Sequence, residues 1–316
     1  MIDLQAIRHA SSVIDPYIVR TPLRSSAFFS ELSGFDVYMK LENWQPTGSF
    51  KLRGAMHFAS TLSSRERLQG IVAWSAGNHG LGVSYAAKVF EMPATIFVPE
   101  KTPRSKVQKF RFFPVDLQFA PTYEDCERAG RAFAQKENVT VIHPYDDWRT
   151  IAGQGTVGLE IQQSLPELDA VLVPVGGGGL ISGICIAMKS LDPDIRIIGV
   201  QSSKSPSLSL SLKEKKCYEE FPVEDSIAEG IAGGIGKIVY DLAPKYIDEI
   251  INVDEEKIKR AVRDLIDQEQ MIVEASGAAT IAALEQVESV PHGSRVAAVI
   301  SGGNLDPRLL REVLTL

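Results

Sequence analysis

The stretch AVLVPVGGGGLISGICIAMKS spans residues 170–190. It begins with an apolar, β-branched run, continues through four consecutive glycines and ends in a run whose apolar residues have helical spacing. This order predicts a buried strand, a tight turn and a helix. Parallel strands need a crossover connection, which is usually a helix, so a strand that leads directly into a helix favours an α/β fold.

The same alternation of short apolar runs and longer amphipathic runs continues along the chain. Strands are predicted at 37–42, 70–75, 94–99, 115–120, 139–144, 170–175, 195–201, 248–253 and 295–301. Helices are predicted near 52–63, 80–90, 102–113, 123–136, 155–165, 180–190, 255–268 and 276–287. We therefore expect parallel sheets with flanking helices. The serine-rich stretch at 201–216 is expected to be an exposed loop and helix.

The bulk composition narrows the class of protein. With 316 residues, the chain is long enough for one large or two smaller domains. Its net charge of −7, without a basic cluster, argues against a nucleic-acid or membrane partner. The three cysteines are far apart, which argues against a disulfide framework or a zinc site and fits the cytoplasm. The N-terminus lacks a signal pattern, and no apolar run is long enough to span a membrane.

Three glycine-rich turns follow predicted strands: SAGNHG at 75–80, VGGGGLISG at 175–183 and SGGN at 301–304. In open α/β sheets, ligands bind at the carboxyl ends of the strands. Consecutive glycines let backbone N–H groups converge on an anion at a helix N-terminus, so residues 176–179 predict an anion site. A plain tight turn is the alternative, but four glycines would cost it much backbone entropy.

The anion is expected to be a small phosphate, because neither nucleotide-binding pattern fits. The sequence Gly-x-x-x-x-Gly-Lys-Ser/Thr is absent, which argues against an ATP loop. Gly-x-Gly-x-x-Gly occurs at 153–158, but it follows DDWRTIA and not a strand. No acidic residue ends a second strand about 20 residues further on, so NAD binding is not expected.

A lysine at an unusual position is the second indication. In LENWQPTGSFKLRGAMHFA (41–59), Lys51 stands at the start of a predicted helix and close to Arg53. The positive helix N-terminus and the neighbouring cation should both lower the pKa of the amine. A neutral amine can form an imine and can take a proton, although a solvated surface lysine is the alternative. A lysine, a phosphate cradle and an asparagine turn together suggest pyridoxal phosphate.

These motifs in combination closely resemble the fold-type II pyridoxal-phosphate enzymes. The matching segments are PTGSFKLRGA (46–55), SAGNHGLGVSYAAK (75–88), PVGGGGLISG (174–183) and SGGN (301–304), and the likeness covers nearly the whole chain. Within that group the chain is similar to the threonine/serine dehydratase and serine racemase branch. The resemblance implies a two-domain α/β fold like that of tryptophan synthase β. A large cofactor-binding domain is expected at 1–68 plus 144–316, and a small mobile domain at 69–143.

The resemblance also implies a role for each site residue. Lys51 carries the Schiff base with the cofactor and is the catalytic base, while Phe50 lies beside the ring. Asn78 bonds the ring 3-oxygen and Ser301 bonds the pyridine nitrogen. The phosphate is held by Gly176, Gly177, Gly178, Gly179 and the amide of Leu180, and Gly230 lies against the cofactor. The substrate carboxylate is bound by the segment of Ser75, Ala76, Gly77, Asn78 and His79, in which His79 is expected to be structural or carboxylate-facing.

The implied reaction removes water and ammonia from a β-hydroxy L-amino acid of the threonine or serine type, giving a 2-oxo acid. A hydroxyl at the pyridine nitrogen stabilises a carbanion less than a carboxylate would, which suits elimination of the β-hydroxyl. Racemisation needs a second proton donor opposite Lys51, and the racemases have a serine where this chain has Ala76. A serine racemase, another isomerase or a β-replacement enzyme of the same fold is the alternative. A non-enzymatic nucleotide-binding protein is the third class.

Several departures from the family pattern bear on metal and substrate. Relatives with a structural Mg²⁺ or Ca²⁺ use a Glu and an Asp where this chain has Gln201 and Ser207, so no metal is expected there. Glu229 and Ala275 replace an Asp and a Pro near the cofactor. The substrate therefore stays open among threonine, serine, 3-hydroxyaspartate, phenylserine and a hydroxyectoine-breakdown product. We expect a homodimer or homotetramer and, because the sequence ends soon after SGGN, a catabolic enzyme without a regulatory domain.

Overall fold

The structure is a computed structural model that describes residues 2–222 and 226–315. Its strands are β1 (Leu23–Ser25), β2 (Asp36–Leu41), β3 (Ile71–Trp74), β4 (Ala94–Pro99), β5 (Asp116–Ala120), β6 (Thr140–Val141), β7 (Ala170–Pro174), β8 (Arg196–Ser202), β9 (Glu249–Val253) and β10 (Arg295–Ile300). Its α-helices are α1 (Leu4–Ile14), α2 (Ala27–Ser33), α3 (Lys51–Ser60), α4 (Ser64–Gln69), α5 (Asn78–Val89), α6 (Arg104–Phe110), α7 (Tyr123–Glu137), α8 (Trp148–Ser164), α9 (Gly179–Leu191), α10 (Ser207–Glu214), α11 (Lys237–Tyr246), α12 (Glu255–Glu269), α13 (Ala275–Ala282) and α14 (Pro307–Val313). Within the described ranges, no helix combines the length and apolar character needed to cross a bilayer.

The larger of two sheets has the strand order β1-β2-β10-β7-β8-β9. Strand β1 pairs antiparallel with β2, and the other neighbours are parallel. Residues of α12 and α13 pack in the core on one face, and residues of α8 and α9 pack in the core on the other. Because both faces are covered, β7 is apolar along its whole length, and β10 is apolar after Arg295.

The smaller sheet has the order β5-β4-β3-β6, with every pair parallel. Helices α3 and α5 share a core with one face, and α7 packs on the other. The predicted α/β class, with parallel sheets and flanking helices, is therefore confirmed. The two sheets are separate, and the strands of the smaller one all lie between residues 71 and 141.

The predicted boundaries were wrong at two places that matter for the site. The strand expected at 139–144 ends at Val141, because the chain leaves the sheet to form a turn. The helix expected near 155–165 begins at Trp148, so the Gly-x-Gly-x-x-Gly pattern at 153–158 lies inside α8. A Cβ on Gly153 would lie 2.5 Å from the carbonyl oxygen of Arg53, so this glycine permits close contact with α3. The pattern serves helix packing.

The expectation of an exposed serine-rich segment was wrong for its first half. Ser202, Ser205, Ser207 and Ser211 are buried, and apart from Ser203 the exposed residues begin at Lys213. A buried hydroxyl needs a hydrogen-bond partner, and these serines find one inside the protein. Ser211, for example, donates to the carbonyl oxygen of Ser207 one helical turn earlier. Serine-rich composition alone does not separate this arrangement from a solvated loop.

Candidate active site

The predicted site lies where four helices begin. Helices α3, α5, α9 and α13 start at Lys51, Asn78, Gly179 and Ala275, and in the described structure no side chain caps any of the four. Their first N–H groups are therefore available to a ligand, in the positive field of the helix dipoles. The contacts described below bring these four helix starts into one cleft between the two sheets.

Lys51 faces this cleft from the first position of α3. Its Nζ donates to the carbonyl oxygen of Pro144 at 2.9 Å and lies 5.2 Å from the centre of the Phe50 ring. Burial lowers the pKa of the amine to about 8, and the negative charge of Glu274 opposes that shift. The predicted direction of the shift is confirmed, because loss of hydration penalises the ammonium form.

The predicted contribution of Arg53 to that shift was wrong. The guanidinium of Arg53 is fully buried and makes ion pairs with Glu42 and Glu160. Lys40, also fully buried, completes the cluster through Glu160 at 2.5 Å. Burial would lower the pKa of Arg53, but the two carboxylates raise it above its ordinary value. Two cations therefore balance two carboxylates, and Arg53 anchors α3 to its neighbours without acting on Lys51 as a free charge.

Glu274 is a site residue that the sequence analysis missed. Asn78 donates from Nδ2 to its Oε1 at 2.6 Å. Burial raises the pKa of Glu274 to about 7, while the bond from Asn78 and the charges of Lys106 and Lys109 oppose the rise. A carboxyl group with such a pKa beside a lysine with a lowered one is typical of active sites. The available signal was its place in VEASGA, directly before a run of small helical residues.

The four-glycine turn joins β7 to α9 with closely packed backbone. Gly178 has φ of +89°, a conformation that favours glycine. A Cβ on Gly177 would lie 2.2 Å from the Tyr145 ring, and one on Gly178 would lie 2.3 Å from Val239. Leu180, the second residue of α9, is buried. The turn therefore presents its backbone, and not side chains, at an uncapped helix start, which is the geometry of an anion site.

Pro144 and Tyr145 form the wall between this turn and Lys51, and the sequence analysis assigned neither of them. Pro144 accepts the hydrogen bond from Lys51, and the next residue carries the ring that covers Gly177. Burial raises the pKa of Tyr145 to about 12, so its phenol keeps its proton at neutral pH. Both belong to the turn that replaced the end of the predicted strand at 139–144.

The turn after β3 brings together the residues predicted to bind the substrate. Ser75 accepts at Oγ from the N–H of Gly77, and a Cβ on Gly77 would meet nothing within 4 Å, so this backbone faces open space. Ala76 packs instead against the core of the smaller sheet. The Nε2 of buried His79 lies 2.8 Å from the carbonyl oxygen of Ile142, and burial lowers the pKa of the ring to about 3. These contacts support the structural role expected for His79.

The remaining predicted cofactor residues border the same cleft. The N–H of Phe50 donates to the carbonyl oxygen of Ser301, which places the SGGN turn beside Lys51. Gly230 donates to Ser276 Oγ at 2.8 Å in the first turn of α13, and its carbonyl lies against Gly176. The structure thus brings the predicted cofactor residues to one cleft, from segments far apart in the chain.

The predicted absence of a metal concerns Gln201 and Ser207, which are buried away from this cleft. The Nε2 of Gln201 lies 3.3 Å from the Oγ of Ser207 and 3.4 Å from the carbonyl oxygen of Val175. Its Oε1 accepts from the N–H groups of Leu208 and Ser209. The amide thus binds the surrounding oxygens as a neutral donor, and no carboxylate of these two residues is present for a hard cation.

Comparison with known proteins agrees with this geometry. The chain matches the family described as "Pyridoxal-phosphate dependent enzyme" over residues 14–302. It is 40% identical to L-threonine ammonia-lyase of Thermotoga maritima over 316 residues, which is 99% of this chain and 78% of that protein. It is 38% identical to the catabolic L-threonine dehydratase of Staphylococcus aureus over 312 residues, covering 97% and 90% of the two chains. Among solved structures, maize serine racemase has a TM-score of 0.92 at 31% identity, covering 99% of this chain and 97% of that chain.

The residues of the cleft fit the cofactor of that family. An uncapped helix start behind a glycine turn suits a phosphate, and an amine with a lowered pKa suits a covalent bond to an aldehyde. The hydroxyl group of buried Ser301, which follows the neighbouring parallel strand β10, is available for a ring nitrogen. With the match extending over residues 14–302, these features show that the chain belongs to the family of pyridoxal-phosphate-dependent enzymes.

Proposed function

We propose that the protein is a lyase that removes water and ammonia from a β-hydroxy L-amino acid, threonine or serine, to give a 2-oxo acid. Two sequence relatives named for threonine ammonia-lyase and threonine dehydratase activity support this proposal over nearly the full chain. The observation that carries it is Lys51 in the cleft, whose pKa is lowered to about 8, together with an alanine at position 76. One face of the cleft can take a proton, and position 76 has none to return.

The proposed cofactor site uses the residues of the cleft. Lys51 forms the covalent link, the turn of Gly176–Gly179 with the amide of Leu180 holds the phosphate, and Ser301 bonds the ring nitrogen. Phe50 and Gly230 border the ring, and Asn78 donates to the 3-oxygen. When bound, pyridoxal phosphate supplies an electron-withdrawing ring that stabilises negative charge at the substrate Cα.

The residues of the chain supply the remaining steps. The open backbone of residues 75–79 binds the substrate carboxylate, since its N–H groups lie at the start of α5. The substrate Cα is held near Nζ of Lys51, which takes its proton as a general base. The carbonyl oxygen of Pro144 holds the same Nζ and orients it. The wall at Tyr145 restricts water on the phosphate side of the cleft.

Replacement of Lys51 tests this function. Lys51→Ala should abolish 2-oxo acid and ammonia formation from threonine and serine, and sodium borohydride should no longer fix the cofactor to the chain. Lys88→Ala, which removes an exposed lysine of α5, is the control and should behave as the wild type. Elimination at the wild-type rate by Lys51→Ala would refute the assignment. A panel of β-hydroxy amino acids, scored for 2-oxo acid and ammonia, identifies the substrate.

Racemisation is the second candidate function, because maize serine racemase has the same fold over nearly the whole chain. The proposal predicts little D-serine from L-serine, since the methyl group of Ala76 packs on the core and carries no exchangeable proton. Chiral analysis of the product measures this directly. Ala76→Ser should raise D-serine formation if the turn controls the outcome. Efficient racemisation by the wild type would favour the second candidate.

Three broader expectations remain proposals. We propose that residues 69–143 form a small mobile domain that closes over the substrate, and the separate smaller sheet supports this. We propose a homodimer or homotetramer, since Trp44 and Ile272 are 51% and 55% exposed although both are large and apolar. A cytoplasmic location is supported by three free cysteines. Light scattering with and without substrate measures the mass and compactness of the particle.

A further inference from the structure

A line of four polar side chains runs from helix α6 into the cleft. Lys109 donates from Nζ to Oδ1 of Asn304 at 2.6 Å. Asn304 donates from Nδ2 to Oδ1 of Asn78 at 2.6 Å, and Asn78 donates from Nδ2 to Oε1 of Glu274 at 2.6 Å. All four side chains are half-buried. The line begins in the segment of the smaller sheet and crosses twice to the segments around β10 and α13.

The ammonium group at the Lys109 end fixes the direction of every hydrogen bond. It can only donate, so the oxygen of Asn304 must face Lys109 and its NH₂ group must face Asn78. The oxygen of Asn78 accepts from Asn304, so the NH₂ group of Asn78 faces Oε1 of Glu274. The cation at one end therefore aligns both amide dipoles in the same sense. Hydrogen bonds aligned in this way polarise and strengthen one another.

The middle of the line is held tightly. Asn304 donates its second amide hydrogen to the carbonyl oxygen of Thr47 at 2.9 Å. Gly48, with φ of +77°, lies so close that a Cβ there would be 3.0 Å from the Asn304 amide. Asn78, in contrast, uses one amide hydrogen for Glu274, and none of the hydrogen bonds described here uses the other. Among the amide hydrogens of Asn78 and Asn304, this second hydrogen of Asn78 is therefore the donor that remains for a ligand in the contacts just described.

We propose that Lys109 is a positioning residue, which acts through Asn304 to orient and polarise the amide of Asn78 toward the cofactor 3-oxygen. This inference rests on the proposed function, because it assumes that Asn78 binds that oxygen. Lys109 can bond Asn304 only when α6 lies over the SGGN turn. The polarisation of Asn78 therefore depends on the position of α6. Neither the glycine turns nor the lysine motif contains this residue.

Helix α6 also offers a matched control. Lys106, three residues earlier, pairs with Glu229 at 2.5 Å and makes no hydrogen bond to the line. Its charge acts on Glu274 as that of Lys109 does. Lys106→Met therefore removes a charge near Glu274 and leaves the three hydrogen bonds of the line in place, whereas Lys109→Met removes such a charge and the first of these hydrogen bonds. Comparing the two variants separates the effect of the hydrogen bond to Asn304 from the effect of a nearby positive charge.

The test titrates the absorbance of the bound cofactor with pH in the holoenzyme. A donor hydrogen bond favours the anionic form of the 3-oxygen, so its weakening in Lys109→Met should move the midpoint upward by about half to one pH unit. Lys106→Met should keep the wild-type midpoint. Lys109→Arg, which restores a donor-only cation, should recover most of the shift. Lys109→Gln places a neutral donor at this position with little change in volume, and its midpoint should lie between those of Lys109→Met and Lys109→Arg.

The outcomes distinguish the line from the function. A wild-type midpoint in Lys109→Met or Lys109→Gln overturns the proposal while the lyase function stands. An equal shift in Lys106→Met also overturns it, because charge alone would then explain the effect. Absence of any cofactor absorbance that depends on Lys51 in the wild type would instead refute the proposed function. Support requires the upward shift in Lys109→Met together with its recovery in Lys109→Arg.

Discussion

Removal of the Arg53 guanidinium should destabilise the protein far more than loss of an exposed arginine. Arg53 makes five hydrogen bonds. Two go to the carboxylate of Glu42, two to the carboxylate of Glu160 and one to the hydroxyl group of Thr156. The side chains of Arg53 and Glu42 are 0% exposed, and that of Glu160 is 6% exposed. In Arg53→Met, Lys40 alone would face two buried carboxylates.

The expected loss follows from this imbalance. Removing one partner of a buried ion pair typically costs about 3–5 kcal/mol, because an uncompensated charge stays buried. In a chain of this length, that corresponds to a fall in melting temperature of roughly 5–8 °C. The control Arg263→Met removes an arginine that is 45% exposed and pairs with Asp267 one helical turn away. It should cost less than about 1 kcal/mol, since water screens that pair.

The stability lost in Arg53→Met should depend on pH. Burial alone would raise the pKa of Glu42, and Arg53 holds it below its ordinary value. The pairing therefore stabilises the wild type above the unfolded pKa of a glutamate, and that stabilisation is lost as the pH falls. In Arg53→Met the pKa of Glu42 should rise, and protonation would then remove the unpaired charge. The deficit between variant and wild type should be larger near pH 8 than near pH 5.

Thermal and urea unfolding of the holoenzymes measure these differences. A double variant, Arg53→Met with Glu42→Gln, leaves Lys40 and Glu160 as one balanced pair and should recover part of the loss. The reasoning is refuted if Arg53→Met is no less stable than Arg263→Met. It is also refuted if the double variant is less stable than Arg53→Met at pH 8, because restoring the charge balance would then have no value.

The remaining predictions concern the cofactor site and the buried amide. Covalent uptake of pyridoxal phosphate by the apoenzyme should accelerate with pH around a midpoint near 8, because the neutral amine of Lys51 reacts; a midpoint near the ordinary lysine value would contradict this. Gly177→Ala should weaken cofactor binding, as measured by equilibrium dialysis, because its Cβ would lie 2.2 Å from the Tyr145 ring. Adding Tyr145→Ala to that variant should restore part of the binding. Chelators, Mg²⁺ and Ca²⁺ should leave the activity and melting temperature unchanged, because the amide of Gln201 binds the oxygens around it; cation-dependent stability in the wild type would overturn this, whereas Gln201→Glu with Ser207→Asp should acquire it.

Local sequence patterns were sufficient for the class of fold and for the segments that meet in the cleft. Strand-to-helix turns rich in glycine indicated parallel sheets and a phosphate cradle, because both depend on residues adjacent in the chain. Lys51 was identified for the same reason: its neighbours in PTGSFKLRGA are part of the motif. The direction of its pKa shift followed from its position, but the cause did not, because burial is a property of the whole fold.

The boundaries of α8 and the turn at Pro144 were not visible in the sequence. The glycines at 153–158 permit α8 to lie against both α3 and α9. The contact with α3 joins segments about a hundred residues apart, and the contact with α9 depends on helix positions that the sheet sets. Periodicity reports which face of a helix is apolar, but it does not report what that face meets.

The sequence by itself thus determined the α/β class and indicated the proposed phosphate turn, the proposed cofactor lysine and the alanine at position 76, since each is encoded by neighbouring residues. Tertiary structure alone decided the ion pairs of Arg53, the place of Glu274 beside Asn78 and the line that begins at Lys109. The partners in these contacts come from different sheets and helices. Burial and pairing set their pKa values and orientations, and both arise only when the chain has folded.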